Sequence, residues 1–146
     1  MDFPDLPFAL PAYEHVGIRV SDREEALAFY ERLGWIEVLN LPEHNANEML
    51  NASGVAINLI FNGTRATDSL NVLQDLADKP PGITHVAFVV DDLDALAAHL
   101  MRTDIAITEG PLMIGERRRV LFIRDPDGNV LEFDELLATS SSQPPL

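Results

Sequence analysis

The sequence contains no cysteine. Disulfides and thiolate ligands are therefore excluded, and any bound metal must be held by nitrogen and oxygen. Basic residues are scarce, with 10 Lys and Arg against 24 Asp and Glu and a net charge of −14. A field of that sign repels phosphate backbones, so nucleic acid is not expected as a partner. The acid is spread along the chain, as on a solvated surface, and forms no tail. No apolar run approaches the roughly 18 residues of a membrane span. The start, MDFPDLPFALP, carries two aspartates and no basic residue, unlike a secretory signal. A cytoplasmic protein with no membrane partner is the expectation.

The 146 residues present suffice for one compact domain. They contain an internal repeat. HVGIRVSDREEALAFYERLG begins at His15, and HVAFVVDDLDALAAHLMRTD begins at His85, an offset of 70 residues. Each copy opens on His-Val, alternates as a strand, passes an acidic cap and enters a helix. The first strand is expected from about Tyr13 to Val20. Val16, Ile18 and Val20 share one face, and His15, Gly17 and Arg19 the other. In the second copy Val86, Phe88 and Val90 oppose His85, Ala87 and Val89.

Ser21 followed by Glu24 reads as a capping box. Ala26, Phe29, Tyr30 and Leu33 then form one apolar stripe, ended by Gly34. Asp91 or Asp92 caps the second helix, whose stripe is Leu93, Leu96, Ala97 and Leu100. Strands are predicted at Trp35–Leu39, Glu48–Asn51 and Val55–Phe61, then at Ile105–Thr108, Arg119–Arg124 and Val130–Asp134. Asp125-Pro126-Asp127-Gly128 reads as a tight turn, because it lacks the later ligands of a calcium loop.

Each half is thus βαβββ. The expected organisation is a single domain over residues 1–137, with module one at 13–62, a linker at 63–82 and module two at 83–135. The linker is expected to hold a short helix near Leu70–Ala77 and a break at Pro80-Pro81-Gly82. Residues 138–146 are expected to form a loose tail.

The repeat pairs His15 with His85 and Asn58 with Glu132. All four alternate away from the residues that bury against helices, so they converge if the halves curl into one cup. Two imidazoles and a carboxylate can hold a divalent metal such as zinc, nickel, iron, manganese or cobalt, with positions left for a bidentate ligand. Asn58 suits a hydrogen bond to metal-bound water or substrate. Arg19 shares the face of His15. In the run Arg117-Arg118-Arg119, alternation turns one or two side chains inward, where a guanidinium can clamp a substrate carboxylate. Arg119 is the candidate taken from that run, against the alternative of a charged edge strand. His44 and His99 read as surface residues.

HVGIRVSD with AFYERLGW, THVAFVVDDLDAL and FIRDPDGNVLEF, in that order, resemble the vicinal-oxygen-chelate superfamily over about residues 13–135. That superfamily includes glyoxalase I, extradiol dioxygenases, fosfomycin-resistance transferases and bleomycin-resistance proteins. The resemblance implies an α+β fold of two βαβββ modules, forming a half-open mixed β-barrel cup with helices outside. It implies His15, His85 and Glu132 as metal ligands, a small-molecule substrate and a homodimer. Some members place ligands from two chains in one site.

Small glyoxalase I enzymes carry a carboxylate where this chain has Asn58, and an amide is no general base. Glu132 must then be both ligand and base. Three functions follow. The first is a glyoxalase-like lyase or isomerase with catalytic Glu132. The second is a ring-cleaving dioxygenase with ferrous iron on the bare triad. The third is a binding module that sequesters an antibiotic or metabolite.

Overall fold

The computed structural model describes residues 1–138. The expected loose tail lies outside the described residues apart from its first position. Module one runs β1 (Val16–Arg19), α1 (Arg23–Arg32), β2 (Trp35–Leu41), β3 (Ala46–Asn51) and β4 (Ala56–Ile60). Module two runs β5 (His85–Val89), α2 (Leu93–Arg102), β6 (Ile107–Ile114), β7 (Arg118–Arg124) and β8 (Val130–Leu136). The α+β architecture of two βαβββ halves is the expected one.

Each half forms its own four-stranded sheet, ordered β1-β4-β3-β2 and β5-β8-β7-β6. The first strand of each half pairs parallel with the last, and the other pairs are antiparallel. A parallel pair needs a crossover, which the helix and two intervening strands supply. The sheets are open, with β1 and β5 as edges.

Alternation sorts the side chains as expected. Ile18, Met49, Ile57 and Leu59 of the first sheet are buried, as are Leu121, Ile123, Leu131 and Phe133 of the second. Each such side chain contributes roughly 1.5–3 kcal/mol by leaving water. These helix-side residues belong to one core with Phe29, Tyr30, Leu93 and Leu100 of the helices. Trp35 of β2 meets Phe88 of β5 with ring centroids 4.9 Å apart, which ties the modules together. The opposite faces of both sheets, with His15 and His85 on them, are turned away from this core.

The helix caps differ slightly from expectation. Asp22, not Ser21, caps α1 by accepting from the Glu25 N–H at 2.9 Å. Ser21 is engaged elsewhere: its N–H and hydroxyl both donate to Asp127, at 2.8 and 2.5 Å. Asp92 caps α2 in the same way as Asp22.

The linker holds no helix at 70–77, only a single hydrogen-bonded turn at 71–75 after a short 3-10 segment at Thr67–Ser69. Asn71 accounts for the difference. Its Oδ1 accepts from the Leu73 N–H at 2.9 Å, a local bond that competes with helical pairing. The same residue straps the linker to module two, its Nδ2 donating to the Gly128 carbonyl at 2.9 Å. Gly128 has φ 85°, and a Cβ there would collide with the Ser69 carbonyl. Only glycine meets both demands. Among the described residues no helix is long and apolar enough to cross a membrane.

Candidate metal and substrate site

The register aligns the two halves residue for residue. Gly17 stands beside Asn58 across β1 and β4, and Ala87 beside Glu132 across β5 and β8. Each glycine or alanine is two residues past its histidine, so Asn58 and Glu132 occupy equivalent places. All four expected positions lie on the face opposite the core, here called the cup face.

On the second sheet the geometry is close. His85 Nε2 lies 2.8 Å from Glu132 Oε2. The His85 side chain is 36% exposed and Glu132 only 6%, so the imidazole fronts the cup with the carboxylate behind it. Metal bonds of about 2.0–2.2 Å at roughly a right angle bring two donor atoms about 3 Å apart. The observed pair is already near that spacing.

His85 Nδ1 is 2.8 Å from Thr84 Oγ1. With Nδ1 protonated it donates to that hydroxyl and leaves the Nε2 lone pair for a metal. His15 is held alike: its Nδ1 contacts the carboxylate of Glu14, and its side chain is 42% exposed. In both halves the preceding residue thus engages Nδ1, while Nε2 of His85 faces Glu132.

The donor chemistry fits a divalent metal, but one chain does not assemble all of it. Among the described residues no group of three or more His, Asp or Glu side chains could hold an ion. His85 and Glu132 are together, and His15 lies on the other module's cup face. Asn58 is half-buried on that same face.

Burial raises the Glu132 carboxyl above its ordinary range, reinforced by a hydrogen bond and charge from Asp134; His85 and Arg118 oppose the shift. Asp134 and Arg118 were absent from the sequence-derived set. Asp134 follows Glu132 by two on β8, so period-two alternation already placed it on the cup face. It is 5% exposed, and its Oδ1 is buried without a hydrogen-bond partner. Its Oδ2 accepts from Arg118 Nη1 at 3.0 Å.

Arg119 does not reach the cup. It stands on the helix side of β7, between Asp94 at 2.8 Å and Glu135 at 3.2 Å. Arg118 is the arginine of that run on the cup face, a choice fixed by the register Arg118↔Leu136 and Val120↔Asp134. Phe122 stands beside Glu132 and presents its ring edgewise to His85, centroids 6.0 Å apart.

Arg19 Nε donates to Asn62 Oδ1 at 3.0 Å. It lines a cavity of about 420 Å³ beside the edges of β1 and β5, shared with His85, Asp127, Asn129 and Leu73. His44 is exposed. His99, half-buried, has Nε2 2.5 Å from the Arg32 carbonyl and links the ends of the two helices.

Known proteins resemble this chain in sequence and fold. The chain is 26% identical over 123 residues to the metallothiol transferase FosB of Lysinibacillus sphaericus (strain C3-41), covering 82% of this chain and 78% of the relative. It is 27% identical over 131 residues to a probable trivalent organoarsenical cleaving enzyme of Bacillus subtilis (strain 168), covering 83% and 77%. Its fold matches a crystal structure of a glyoxalase/dioxygenase from Nostoc punctiforme with a TM-score of 0.69 at 20% identity, over 94% of this chain and 99% of that one. Residues 12–133 match the family model itself, and the chain belongs to the Glyoxalase/Bleomycin resistance protein/Dioxygenase superfamily.

Proposed function

We propose that the protein is a metal-dependent enzyme of lyase or isomerase type, acting on a small molecule with two neighbouring oxygens. Its site is completed in a homodimer, with His15 from one copy and His85 and Glu132 from the other. The carrying observation is the 2.8 Å pair of His85 and Glu132, accessible from the cup, with His15 held separately on the other module. The helix-side faces of both modules are spent on one core, so within a chain the two cup faces are not opposed. A second copy supplies the missing face of each.

In this reading the three residues hold one ion of zinc, nickel, iron, manganese or cobalt. Such an ion supplies Lewis-acid polarisation of the chelated oxygens. Glu132 would move the proton between neighbouring carbons. Asn58 donates its amide hydrogens to a substrate oxygen. Arg19, on the face of His15, contacts the far end of the substrate.

Chain mixing tests the shared site. His15→Ala and His85→Ala homodimers should each lose metal uptake. A mixed dimer of the two variants regains one intact set, and should bind one ion per two chains. A mixed dimer that stays empty places the site within one chain and overturns the arrangement. Hemithioacetal isomerisation with added nickel or zinc tests the reaction. Asn58 in place of a carboxylate leaves a bare triad, which favours a second reading as a ring-cleaving dioxygenase. Oxygen uptake with catechols under ferrous loading separates the two.

A further inference from the structure

Three arginines near the sheets spend both terminal nitrogens on carboxylates. Arg23 grips Glu37 through both terminal nitrogens, at 2.7 and 2.9 Å, and Arg124 does the same to Asp75, at 2.6 and 2.7 Å. Arg119 is divided between Asp94 and Glu135. Arg118 differs. Among the described residues only its Nη1 is bonded, to Asp134, while Nη2 and Nε remain unspent. Its side chain is 43% exposed, and the residue lies on the cup face.

The contact is diagonal. Arg118 is registered with Leu136, yet its guanidinium reaches back along β8 to Asp134, towards Glu132. Asp134 follows Glu132 by two residues on the same face of β8, and the two carboxyl groups are neighbours. A planar fork with two unspent edges therefore stands beside the proposed metal site, near enough for its charge to act on the Glu132 carboxyl. A solvent-driven surface pair would not need a buried carboxylate as its anchor. Asp134 is 5% exposed, with the Glu132 carboxyl beside it.

Charge points the same way. Asp134 neutralises Arg118, and Glu132 cancels half of a divalent ion. The loaded floor then carries one net positive charge inside a chain whose net charge is −14. In an otherwise acidic protein this is where an anion is stabilised.

We infer that Arg118, anchored by Asp134, is the receptor for an oxyanionic group of the substrate, which makes the substrate an organic acid. The inference rests on the proposed metal site. Arg118 touches the substrate, and Asp134 is the residue that positions it.

The test uses the zinc-saturated dimer and two probes that chelate through the same pair of hydroxyls. One is 3,4-dihydroxyphenylacetate, which carries a carboxylate as well as its two hydroxyls. The other is 4-methylcatechol, which lacks the acid. Calorimetry should find the acid bound about tenfold tighter, as a charge-assisted contact implies. Arg118→Met should abolish that preference and leave zinc content and 4-methylcatechol affinity unchanged. Arg118→Lys should keep part of it. Arg118→Met strands the Asp134 carboxylate, so Arg118→Met/Asp134→Asn serves if the single variant does not fold, with the same expectation. Zinc uptake without preference for the acid, or a preference kept in the methionine variants, overturns this inference alone. A dimer that takes up no zinc overturns it together with the metal site.

Discussion

Asp125 shows how much one residue can carry. It is 4% exposed and accepts from four donors: the Tyr30 hydroxyl, the N–H groups of Asp127 and Asn129, and the Asn129 side-chain amide. Burial pushes its carboxyl up despite those bonds, and burial together with Asp125 pushes the Tyr30 hydroxyl well above its usual range. The pair joins α1 of one module to the β7–β8 turn of the other. Tyr30→Phe removes one donor and leaves the carboxylate buried. It should cost about 1–3 kcal/mol, read as a lower urea midpoint. An unchanged midpoint would mean that the other three donors suffice.

At the scale of the element, the linker is a strap held at three places. Ser69 Oγ donates to the Pro126 carbonyl at 2.6 Å, Asn71 bonds Gly128, and Asp75 pairs with Arg124. The hydrogen bonds from Arg124, followed by that from the Asn71 N–H, lower the Asp75 carboxyl from 3.8 to about 2. A depressed carboxylate stabilises the fold above its unfolded value. That stabilisation should be present above about pH 4 and fade as pH falls towards 2. Acid titrations of wild type and Arg124→Gln should therefore differ at neutral pH and converge towards pH 2. Parallel curves throughout would remove the role of the pair.

The elements also show what the sequence could and could not disclose. Strands with one buried face announced themselves by alternation, and the repeated His-Val placed β1 and β5. The helix stripes were equally plain. β6 was expected to stop at Thr108 but continues to Ile114 through Gly110-Pro111. The pairing slips between Ile107 and Glu109 and again before Leu112, and this irregularity accommodates a proline that a regular ladder rejects. The arginine run was visible as a run, but its register was not. One residue of slip exchanges cup for helix side, and only the pairing with β8 selects Arg118 over Arg119. Asp134 was legible by the same alternation as Glu132, without a motif to draw attention to it.

For the whole molecule, the decisive fact is that two modules share one core. Tyr30, Trp35, Phe88 and Phe133 form a continuous aromatic path across it. The cup faces are left outward, and exposed apolar residues such as Ile36, Leu39, Val89 and Ile114 stand on them or at their rims. In the proposed dimer a second copy would give those faces partners, and metal ligation and association would then go together. Covalent continuity, by contrast, contributes little beyond the strap. Residues 75–82 are exposed throughout and lie past the last bonds to Gly128. The polypeptide can therefore be opened there without being taken apart. Fragments 1–78 and 82–146, produced together, should copurify as a native-like pair, and failure to associate would show that the joint, not the interior, holds the halves. Such a split protein would report its own reassembly.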